Sequence, residues 1–371
     1  MSKTLSEIAQ QLNAAEKKVQ LIYAFNGTGK TRLSRAFKQL IAPKGTGDDA
    51  SSSALADKKM LYYSAFTEDL FYWDNDLGRD TEPKLMIQPN AFTKWVLEEQ
   101  GQDQSITTTF QRYTSDKLTP QFSADFSSVS FSFERGNQQP EPYIKISKGE
   151  ESNFIWSVFN ALLEQVIAEL NIVEVADRST DVFNKLTHVF VDDPVSSLDE
   201  NHLIELAVNL ASMIKSSESG LKFIITTHSP LFYNVLFNEL NSKASYLLER
   251  YEDGSFEIIE KQGDSNKSFS YHLHLLKTIE QAIAENKIER YHFTLLRNLY
   301  EKTASFLGYP RWSELLPEDR QLYLNRVIQF TSHSTLSNET MAQPTPAESA
   351  TVKLLLDHLK NNHAFWKPQG A

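Results

Sequence analysis

Short apolar runs alternate with amphipathic stretches along the first two thirds of the chain. Residues 1–18 have the periodicity of an amphipathic helix, and the apolar runs at 19–25 and 60–66 are predicted to be strands. Residues 146–240 alternate between helical and strand patterns, which is typical of a parallel α/β sheet. Strict alternation at 129–133 predicts a half-exposed strand.

The pattern becomes helical in the last third. Two short strands are predicted near 246–248 and 256–259, and no further strand pattern follows them. Helices are predicted at 275–287, 291–307, 318–330 and 348–360. The predicted organisation is an α/β domain at 1–250, with an insertion at 67–145 and a polar loop at 42–53, followed by a mainly α-helical domain at 251–371.

Composition narrows the class of protein. The 371 residues are 40% hydrophobic and include no cysteine, so a globular core is expected and disulfides and thiol chemistry are excluded. A continuous apolar run of membrane-spanning length and a secretion leader are both missing, so we expect a cytoplasmic protein without a membrane partner.

Charge is distributed unevenly. The net charge of −11 argues against binding nucleic acid over the whole surface. Residues 1–260 hold 24 basic and 37 acidic residues, whereas residues 261–371 hold 13 basic and 11 acidic ones. The C-terminal third is therefore the better candidate for a nucleic-acid contact, although ordinary surface scatter would give the same count.

A glycine-rich segment follows the first predicted strand and precedes a helical pattern that runs to residue 40. In the P-loop pattern G-x-x-x-x-G-K-[ST], Gly29, Lys30 and Thr31 match, and Ala24 stands at the first glycine. Such a loop turns backbone N–H groups towards phosphates, with the lysine on the β- and γ-oxygens and the threonine on Mg²⁺. A plain strand-to-helix turn is the alternative. The predicted nucleotide-binding residues are Asn26, Gly27, Thr28, Gly29, Lys30 and Thr31.

Two adjacent carboxylates end the apolar strand within residues 187–199. The run Thr-His-Val-Phe-Val leads into Asp192 and Asp193, then a proline and a Ser-Ser-Leu-Asp turn. A buried strand that ends in paired acids can hold Mg²⁺ and polarise a water beside a nucleotide phosphate. Taken alone, the segment could equally be two acids at a strand end.

Two more segments complete a recognisable order. Residues 146–150, Ile-Ser-Lys-Gly-Glu, open a long apolar-periodic helix, and residues 223–230 form an apolar strand that ends at His228. The P-loop, this helix start, the Asp-Asp strand and the histidine strand follow one another as in the ABC-type ATPases, which the first domain resembles. The predicted fold is thus an α/β ABC-type P-loop ATPase domain followed by a mainly α-helical C-terminal domain.

The ABC resemblance implies a role for each matching residue. Asp192 would hold Mg²⁺ through water, and Asp193 would be the hydrolytic base, where the family usually has a longer glutamate. His228 would be the switch histidine. The signature residues, which would complete the nucleotide site of a second subunit in a head-to-tail dimer, are Ser147, Gly149 and Glu150.

The helical domain carries a second candidate site. Arg297 and Glu301 are four residues apart and would share one helix face, and His333 falls in a polar segment after a helix. An Arg–Glu pair at this spacing is usually a surface ion pair of small value. The three side chains could also cleave RNA without a metal, because a base can take the 2′-OH proton while an acid protonates the 5′-oxygen and the arginine stabilises the phosphorane.

These segments together resemble the bacterial anticodon nucleases of the PrrC type over nearly the whole chain. The resemblance implies a nuclease triad of Arg297, Glu301 and His333 that cleaves tRNA-Lys at the wobble position, leaving 2′,3′-cyclic phosphate and 5′-OH ends. It also implies a homodimer or higher homo-oligomer, held latent by a type I restriction–modification complex and released in phage infection by a phage-encoded activator. Mg²⁺ with ATP or GTP would act in the first domain, with dTTP as a stabilising nucleotide.

The same resemblance assigns tRNA recognition to a Gly-Asp-Ser-Asn stretch. Asp264 and Ser265 are its candidate residues, although the stretch by itself reads only as a turn. The alternative for the whole chain is an ABC-head DNA-repair or sensor ATPase without RNA cleavage. A repair ATPase of this type predicts coiled-coil arms, and the sequence has neither sustained heptads nor the cysteines of a zinc hook.

Overall fold

The computed structural model describes most of the chain, which divides into two compact units, Met1–Gly263 and Asp264–Ala371. The division comes later than the predicted boundary at 250/251, because a strand at 256–260 pairs with its predecessor in the first unit. The described residues are 2–42, 59–64, 71–74, 82–88, 91–136, 139–195, 200–241, 244–251, 253–261, 271–332 and 344–363. Most of the predicted loop at 42–53, the Ser-Ser-Leu-Asp turn, Asp264, Ser265 and His333 lie outside the described residues.

In the first unit, α-helices and strands alternate between residues 148 and 250, as the hydrophobic pattern of residues 146–240 predicts. Its described strands are β1 (Val19–Tyr23), β2 (Met60–Ser64), β3 (Phe71–Asp74), β4 (Lys84–Ile87), β5 (Leu118–Phe122), β6 (Ser128–Phe133), β7 (His188–Asp192), β8 (Lys222–Thr227), β9 (Ser245–Arg250) and β10 (Phe256–Glu260). Its described helices are α1 (Leu5–Ala14), α2 (Lys30–Ile41), α3 (Ala91–Lys94), α4 (Asp103–Arg112), α5 (Lys148–Asn171), α6 (Glu200–Ser216) and α7 (Pro230–Leu240). A π-helical turn at Trp95–Glu99 continues α3, and a 3₁₀ turn lies at Val175–Asp177.

The first helix is shorter than the predicted range of 1–18. It begins after a capping box, in which the Thr4 hydroxyl accepts from the Glu7 N–H and the Glu7 carboxylate accepts from the Thr4 N–H. The apolar face that it buries consists of Leu5, Ile8, Ala9 and Leu12, packed with the core of the main sheet.

The main sheet has the strand order β10-β9-β1-β8-β7-β2. Every neighbouring pair is parallel except β9 and β10, which pair antiparallel at one edge. The register sets Tyr23 opposite Thr227 and Asp192 opposite both Thr226 and Ser64. The carboxyl ends of β1, β7 and β8 therefore meet at one edge, where ligands bind in open α/β sheets.

A second sheet fills the predicted insertion. Its strands have the order β3-β4-β6-β5 and are all antiparallel, and β6 confirms the strand predicted from alternation at 129–133. Aromatic rings join this sheet to α5: the Phe131 and Phe154 rings are 5.4 Å apart, and Phe110 lies within 5.8 Å of both. The second sheet thus packs on the helix that begins at Ser147.

The described part of the second unit is helical, in agreement with the pattern of its sequence. The helices are α8 (Tyr271–Ala284), α9 (Arg290–Leu307), α10 (Arg320–Ser332) and α11 (Pro346–Asn362), with a 3₁₀ turn at Trp312–Leu315. Leucines on α9 and α11 dominate its separate core, where the buried Tyr300 hydroxyl donates to the Leu355 carbonyl oxygen at 2.8 Å. Among the described helices, none combines the length and the apolar character that crossing a bilayer requires.

Candidate functional site

The glycine-rich loop connects the end of β1 to the start of α2. Gly27 and Gly29 have φ angles of +80° and +115°, in the left-handed region that side-chain-bearing residues rarely adopt. A Cβ atom at position 29 would also lie 3.3 Å from the ring of Phe256. Glycine at 29 is therefore needed for both its backbone angle and the space beside β10, and it lets the loop enter α2 directly at Lys30.

Lys30 is buried and surrounded by acceptors. Its Nζ atom donates to the carbonyl oxygens of Ala24 at 3.2 Å and Phe25 at 3.4 Å, and to Asn26 Oδ1 at 3.3 Å. It also lies 3.4 Å from Asp193 Oδ2. The ammonium group thus joins the loop to the acidic strand end, and a phosphate in the loop would compete with these oxygens for it.

Asp192 is held by hydroxyl groups at the end of β7. Thr226 Oγ1 donates to Asp192 Oδ1 at 2.7 Å, and Tyr62 OH and Ser34 Oγ reach Oδ2 at 3.3 and 3.5 Å. Burial raises the pKa of this carboxyl, and hydrogen bonds from Thr226 and Thr31 offset part of that rise. The carboxylate is therefore fixed in position.

Asp193 faces the other way and meets His228. Its φ of +50° turns the side chain back to β8, so that the His228 Nδ1 atom lies 2.8 Å from Oδ1 and 2.7 Å from Oδ2. The His228 backbone N–H also donates to Oδ1 at 3.2 Å. Burial alone would raise the pKa of Asp193, but the His228 hydrogen bonds and the Lys30 charge outweigh it and lower the pKa.

The donor set fits a hard divalent cation. Thr31 donates to the Asp192 carboxylate, and the surrounding polar groups are oxygens of Ser34, Tyr62 and Thr226, which suit Mg²⁺ better than a softer metal. Thr31 and Asp192 are the residues that would hold the ion. In the described part of the chain, no three His, Cys, Asp or Glu side chains cluster as a closed metal site, so an ion here would share its coordination with water or phosphate.

Ser147 caps the helix α5. Its hydroxyl accepts from the Glu150 N–H at 3.3 Å, and the Glu150 carboxylate accepts from the Ser147 N–H at 2.7 Å. Gly149 lies within this first turn. The neighbouring Glu151 accepts from Trp73 Nε1 at 2.9 Å and pairs with Lys148, which ties the helix start to β3. The three predicted signature residues therefore share one exposed helix start.

The structure brings together the residues predicted for nucleotide chemistry within one subunit. Lys30, Asp192, Asp193 and His228 meet at the carboxyl edge of the main sheet, with a cation, an ionised acid and an imidazole in contact. Such a cluster can bind phosphate, orient a cation-bound water and accept a proton from it. When bound, Mg²⁺ would neutralise phosphate charge.

Sequence reasoning missed the hydroxyl groups around Asp192. Ser34 lies one turn after Lys30 on the buried face of α2, and Tyr62 lies on β2, which pairs with β7. Their oxygens are 3.0 Å apart. A serine at i+4 from the P-loop lysine was a readable signal for Ser34, whereas Tyr62 required the pairing of β2 with β7.

In the second unit, Arg297 and Glu301 form the predicted pair on α9. Arg297 Nε donates to Glu301 Oε1 at 2.7 Å, and the two side chains are 36% and 38% exposed. The carboxylate is thus paired yet open to solvent. Three of the predicted site residues, His333, Asp264 and Ser265, are not among the described residues. Their proximity to the Arg297–Glu301 pair therefore stays a prediction.

The first unit is an ABC-type P-loop ATPase domain, and it is joined to a helical unit. Its defining features are the P-loop, the carboxylates and the histidine at the strand ends, and the capped signature helix. The chain is 67% identical to the Escherichia coli protein named anticodon nuclease over 392 aligned positions, which cover 100% of this chain and 99% of that protein. The chain belongs to the anticodon nuclease family. A scan of protein-family models finds no match.

Solved structures that this chain matches include heads of SMC proteins. The Smc head bound to the C-winged helix domain of ScpA has a TM-score of 0.34 and 11% identity, covering 69% of this chain and 93% of that chain. The SMC head domain from Thermotoga maritima has a TM-score of 0.31 and 12% identity, covering 66% and 91%. Scores this low assign neither a function nor a partner to this chain.

Proposed function

We propose that this protein is a nucleotide-gated endoribonuclease that cleaves tRNA in the anticodon. The observation that carries the proposal is the 67% identity, along the full chain, to a protein named anticodon nuclease. The exposed Arg297–Glu301 pair supports it, because a glutamate side chain and a guanidinium beside solvent are suitable groups for phosphodiester cleavage.

The proposed reaction needs no metal. One of the triad groups Glu301 and His333 removes the proton from a ribose 2′-OH, and the 2′-oxygen attacks the adjacent phosphorus. The bond from phosphorus to the 5′-oxygen breaks, and the other group donates a proton to that oxygen. Arg297 stabilises the charge on the phosphorane. The products are a 2′,3′-cyclic phosphate and a 5′-OH end, and DNA is not a substrate because it lacks the 2′-OH.

The proposed substrate is tRNA-Lys, cut at the wobble position and recognised in part by Asp264 and Ser265. An acidic side chain would suit a modified wobble base that carries positive charge. In the cell, a type I restriction–modification complex would keep the nuclease latent, and a phage-encoded activator would release it as an antiviral toxin. These partners extend the proposal and rest on the family resemblance.

The first unit would supply the gate. ATP or GTP with Mg²⁺ would bind at the P-loop, with Asp193 as the hydrolytic base and His228 beside it, and dTTP would stabilise the protein. Ser147, Gly149 and Glu150 would complete the nucleotide site of a second copy in a head-to-tail dimer or a higher homo-oligomer. Hydrolysis in one unit would then control cleavage by the other.

The decisive experiment maps new 5′-OH ends in total tRNA after incubation with the purified protein, with and without nucleotide and with EDTA. We expect discrete cuts in the anticodon of tRNA-Lys that persist in EDTA once the protein is activated and are lost in His333→Ala. Intact tRNA under every condition, with nucleotide hydrolysis preserved, would overturn the nuclease proposal in favour of an ATPase without RNA cleavage.

Gating is tested by Lys30→Ala, which removes the cation of the P-loop and leaves the second unit untouched. We expect loss of nucleotide binding by calorimetry and loss of nucleotide-dependent cleavage. Arg35→Ala, which removes an exposed cation from the same helix, should behave as the wild type. Full cleavage by Lys30→Ala with no nucleotide bound would contradict the gate and leave the nuclease reaction in place.

A further inference from the structure

A depression of about 460 Å³ opens beside Glu301 at the end of α9. Its volume falls within the range of about 300–1,000 Å³ that is usual for small-ligand sites. The side chains that matter for its chemistry are those of Glu301, Ser305, Tyr309, Arg311, Trp312 and Ser313. The depression thus combines the carboxylate of the candidate nuclease site with two aromatic rings, a guanidinium and two hydroxyl groups.

The end of the helix fixes the position of Tyr309. Gly308 adopts a φ of +79°, its N–H donates to the Ser305 carbonyl oxygen at 3.3 Å, and the Tyr309 N–H donates to the Ala304 carbonyl oxygen at 2.8 Å. This is the paired hydrogen bonding of a Schellman turn. The turn brings Tyr309 back beside the last helical turns, next to the face that carries Glu301, and leaves the residue 40% exposed.

Each of the two rings has an aromatic neighbour: the Tyr309 ring lies edge to face with the His363 ring at a centroid distance of 6.3 Å, and a tyrosine contacts Trp312. The Trp312 ring meets the buried Tyr300 ring edge to face, at a centroid distance of 6.2 Å and an angle of 68°. Tyr300 is itself anchored through its hydroxyl to the Leu355 carbonyl. The indole is therefore half-buried against the core of the second unit while it still lines the depression.

From these contacts we propose that the depression binds one nucleobase of the RNA substrate, stacked on Tyr309 or Trp312, next to the phosphate that Arg297 and Glu301 act upon. Aromatic rings accept any base face, and each stacked base strengthens binding by about tenfold or more. Arg311 would meet a flanking phosphate, and the hydroxyls of Ser305 and Ser313 can hydrogen-bond to a base edge. This inference rests on the proposed function, because it takes RNA to be the substrate.

The depression would also supply a property that the triad lacks, the selection of one nucleotide. Arg297, Glu301 and His333 could act on any exposed phosphodiester, so they carry no means of choosing one nucleotide. An extruded base held in a neighbouring depression would fix which 2′-OH faces Glu301, as in other enzymes that take a base out of its stack. Tyr309 and Trp312 are thus positioning residues, which bind the base without reacting.

The test is a thermodynamic cycle between the ring and the base. Binding of anticodon stem-loop RNA to the full-length protein in the His333→Ala background is measured for the natural loop and for loops with an abasic ribonucleotide at each position in turn. We expect Tyr309→Ala or Trp312→Leu, each of which removes the ring, to weaken binding of the natural loop by about tenfold. At one loop position the abasic RNA should bind the ring variant and its parent equally.

Matched controls separate stacking from folding. Phe306 is on α9, and its ring is 69% exposed but does not line the depression. Phe306→Ala should therefore leave RNA binding unchanged. Tyr309→Phe keeps the ring and should bind as the parent. If the ring variants melt at the same temperature as their parent, the weaker RNA binding comes from the depression and not from the fold. If Tyr309→Ala is less stable than its parent, Tyr309→Phe serves instead, because it keeps the ring and should bind RNA as the parent does.

The outcomes distinguish this inference from the nuclease proposal. Suppose that the wild type cleaves RNA, but that removing the ring and removing a base weaken RNA binding by independent factors at every loop position. The proposed base site would then be wrong, and the nuclease proposal would stand. A ring–base coupling in binding, with no RNA cut by the wild type under any nucleotide condition, would establish the base site and overturn the nuclease.

Discussion

The carboxylate of Asp193 contacts both the imidazole ring and the backbone N–H of His228. Nδ1 lies 2.8 and 2.7 Å from the two carboxylate oxygens, and the His228 N–H lies 3.2 Å from Oδ1. This geometry depends on the left-handed φ of +50° at Asp193, which aspartate tolerates better than glutamate. The backbone thus gives a physical reason for a shorter acid where the ABC family usually has a longer one.

Replacement of Asp193 should separate nucleotide binding from hydrolysis. We expect Asp193→Asn to keep the backbone turn and to bind nucleotide within a few-fold of the wild type, because Lys30 and the loop remain. Hydrolysis should fall by about 10²–10⁴, the usual effect of losing a general base. Binding by calorimetry and phosphate release report the two steps. Hydrolysis at the wild-type rate by Asp193→Asn would exclude this residue as the base.

Asp193→Glu tests the backbone argument. Restoring the longer acid should destabilise the protein by about 1 kcal/mol, since the left-handed backbone is strained for glutamate. Urea unfolding measures the free energy change. A variant as stable as the wild type, with faster hydrolysis, would show that the turn does not select for aspartate.

His188 predicts how stability depends on pH. It is buried at the start of β7, with Nδ1 2.9 Å from Thr187 Oγ1 and with Nε2 lacking a hydrogen-bond partner among the described residues. Burial, with a smaller effect from Lys222, lowers its pKa from 6.5 to about 4. The unfolded chain therefore binds a proton that the folded chain excludes, and stability is lost as the pH falls from 6.5 towards 4.

The loss attributable to His188 between pH 7 and pH 5 is about 2 kcal/mol from these pKa values. Urea unfolding at both pH values should show it in the wild type. His188→Phe fills a similar volume against Phe37 and cannot titrate. Between pH 7 and pH 5 its unfolding free energy should therefore fall by about 2 kcal/mol less than that of the wild type. Equal losses in the two proteins would show that His188 titrates normally.

Arg297 and Glu301 can be tested for function without disturbing the fold. An exposed pair at i and i+4 contributes about 0.5 kcal/mol or less, so Glu301→Gln should leave the unfolding free energy nearly unchanged. RNA cleavage should fall by about 10²–10⁴. Arg297→Lys keeps the charge and loses the planar fork, so it should also cleave slowly.

A control for this pair lies at the end of the preceding helix. Gln281 Nε2 donates to Glu285 Oε1 at 2.9 Å with the same i, i+4 spacing, on an exposed face. Gln281→Ala should therefore change neither stability nor cleavage by a measurable amount. If Glu301→Gln matches Gln281→Ala in a cleavage assay, the Arg297–Glu301 pair is only a surface ion pair.

Local motifs were readable from the sequence because each depends on neighbours along the chain. The loop around Lys30, the start of α5 near Ser147, and the periodicity of α9 are all of this kind. The helix bounds came within a few residues, although α1 ends at Ala14 rather than near residue 18. Hydrophobic periodicity does not mark where a helix stops.

Contacts between distant segments were not readable. The hydroxyl of Tyr62 reaches Asp192 only because β2 pairs with β7, and many registers would satisfy the same apolar pattern. The pairing of β10 with β9 also places residues 256–260 in the first unit, which the apolar pattern alone does not show. Likewise, Tyr309 meets Glu301's side of α9 through a turn that the sequence marks only with Gly308.

Ser147 offers a way to separate a helix cap from a contact with a second subunit. Ser147→Ala removes the hydroxyl that accepts from the Glu150 N–H, and should destabilise the protein by about 1 kcal/mol. Ser147→Asp provides an equivalent acceptor and a charge that favours the helix dipole, so its stability should match the wild type. If a nucleotide phosphate of a second subunit also meets this helix start, the new carboxylate will repel it.

We therefore expect Ser147→Asp to be as stable as the wild type and yet to lose nucleotide-dependent dimerisation, measured by sedimentation with a nucleotide that resists hydrolysis. Lys148→Ala is the matched control, because its exposed side chain lies beside the cap and pairs with Glu151. A Ser147→Asp protein that dimerises as well as the wild type would show that Ser147 only caps α5. The proposed head-to-tail dimer would then need a different surface.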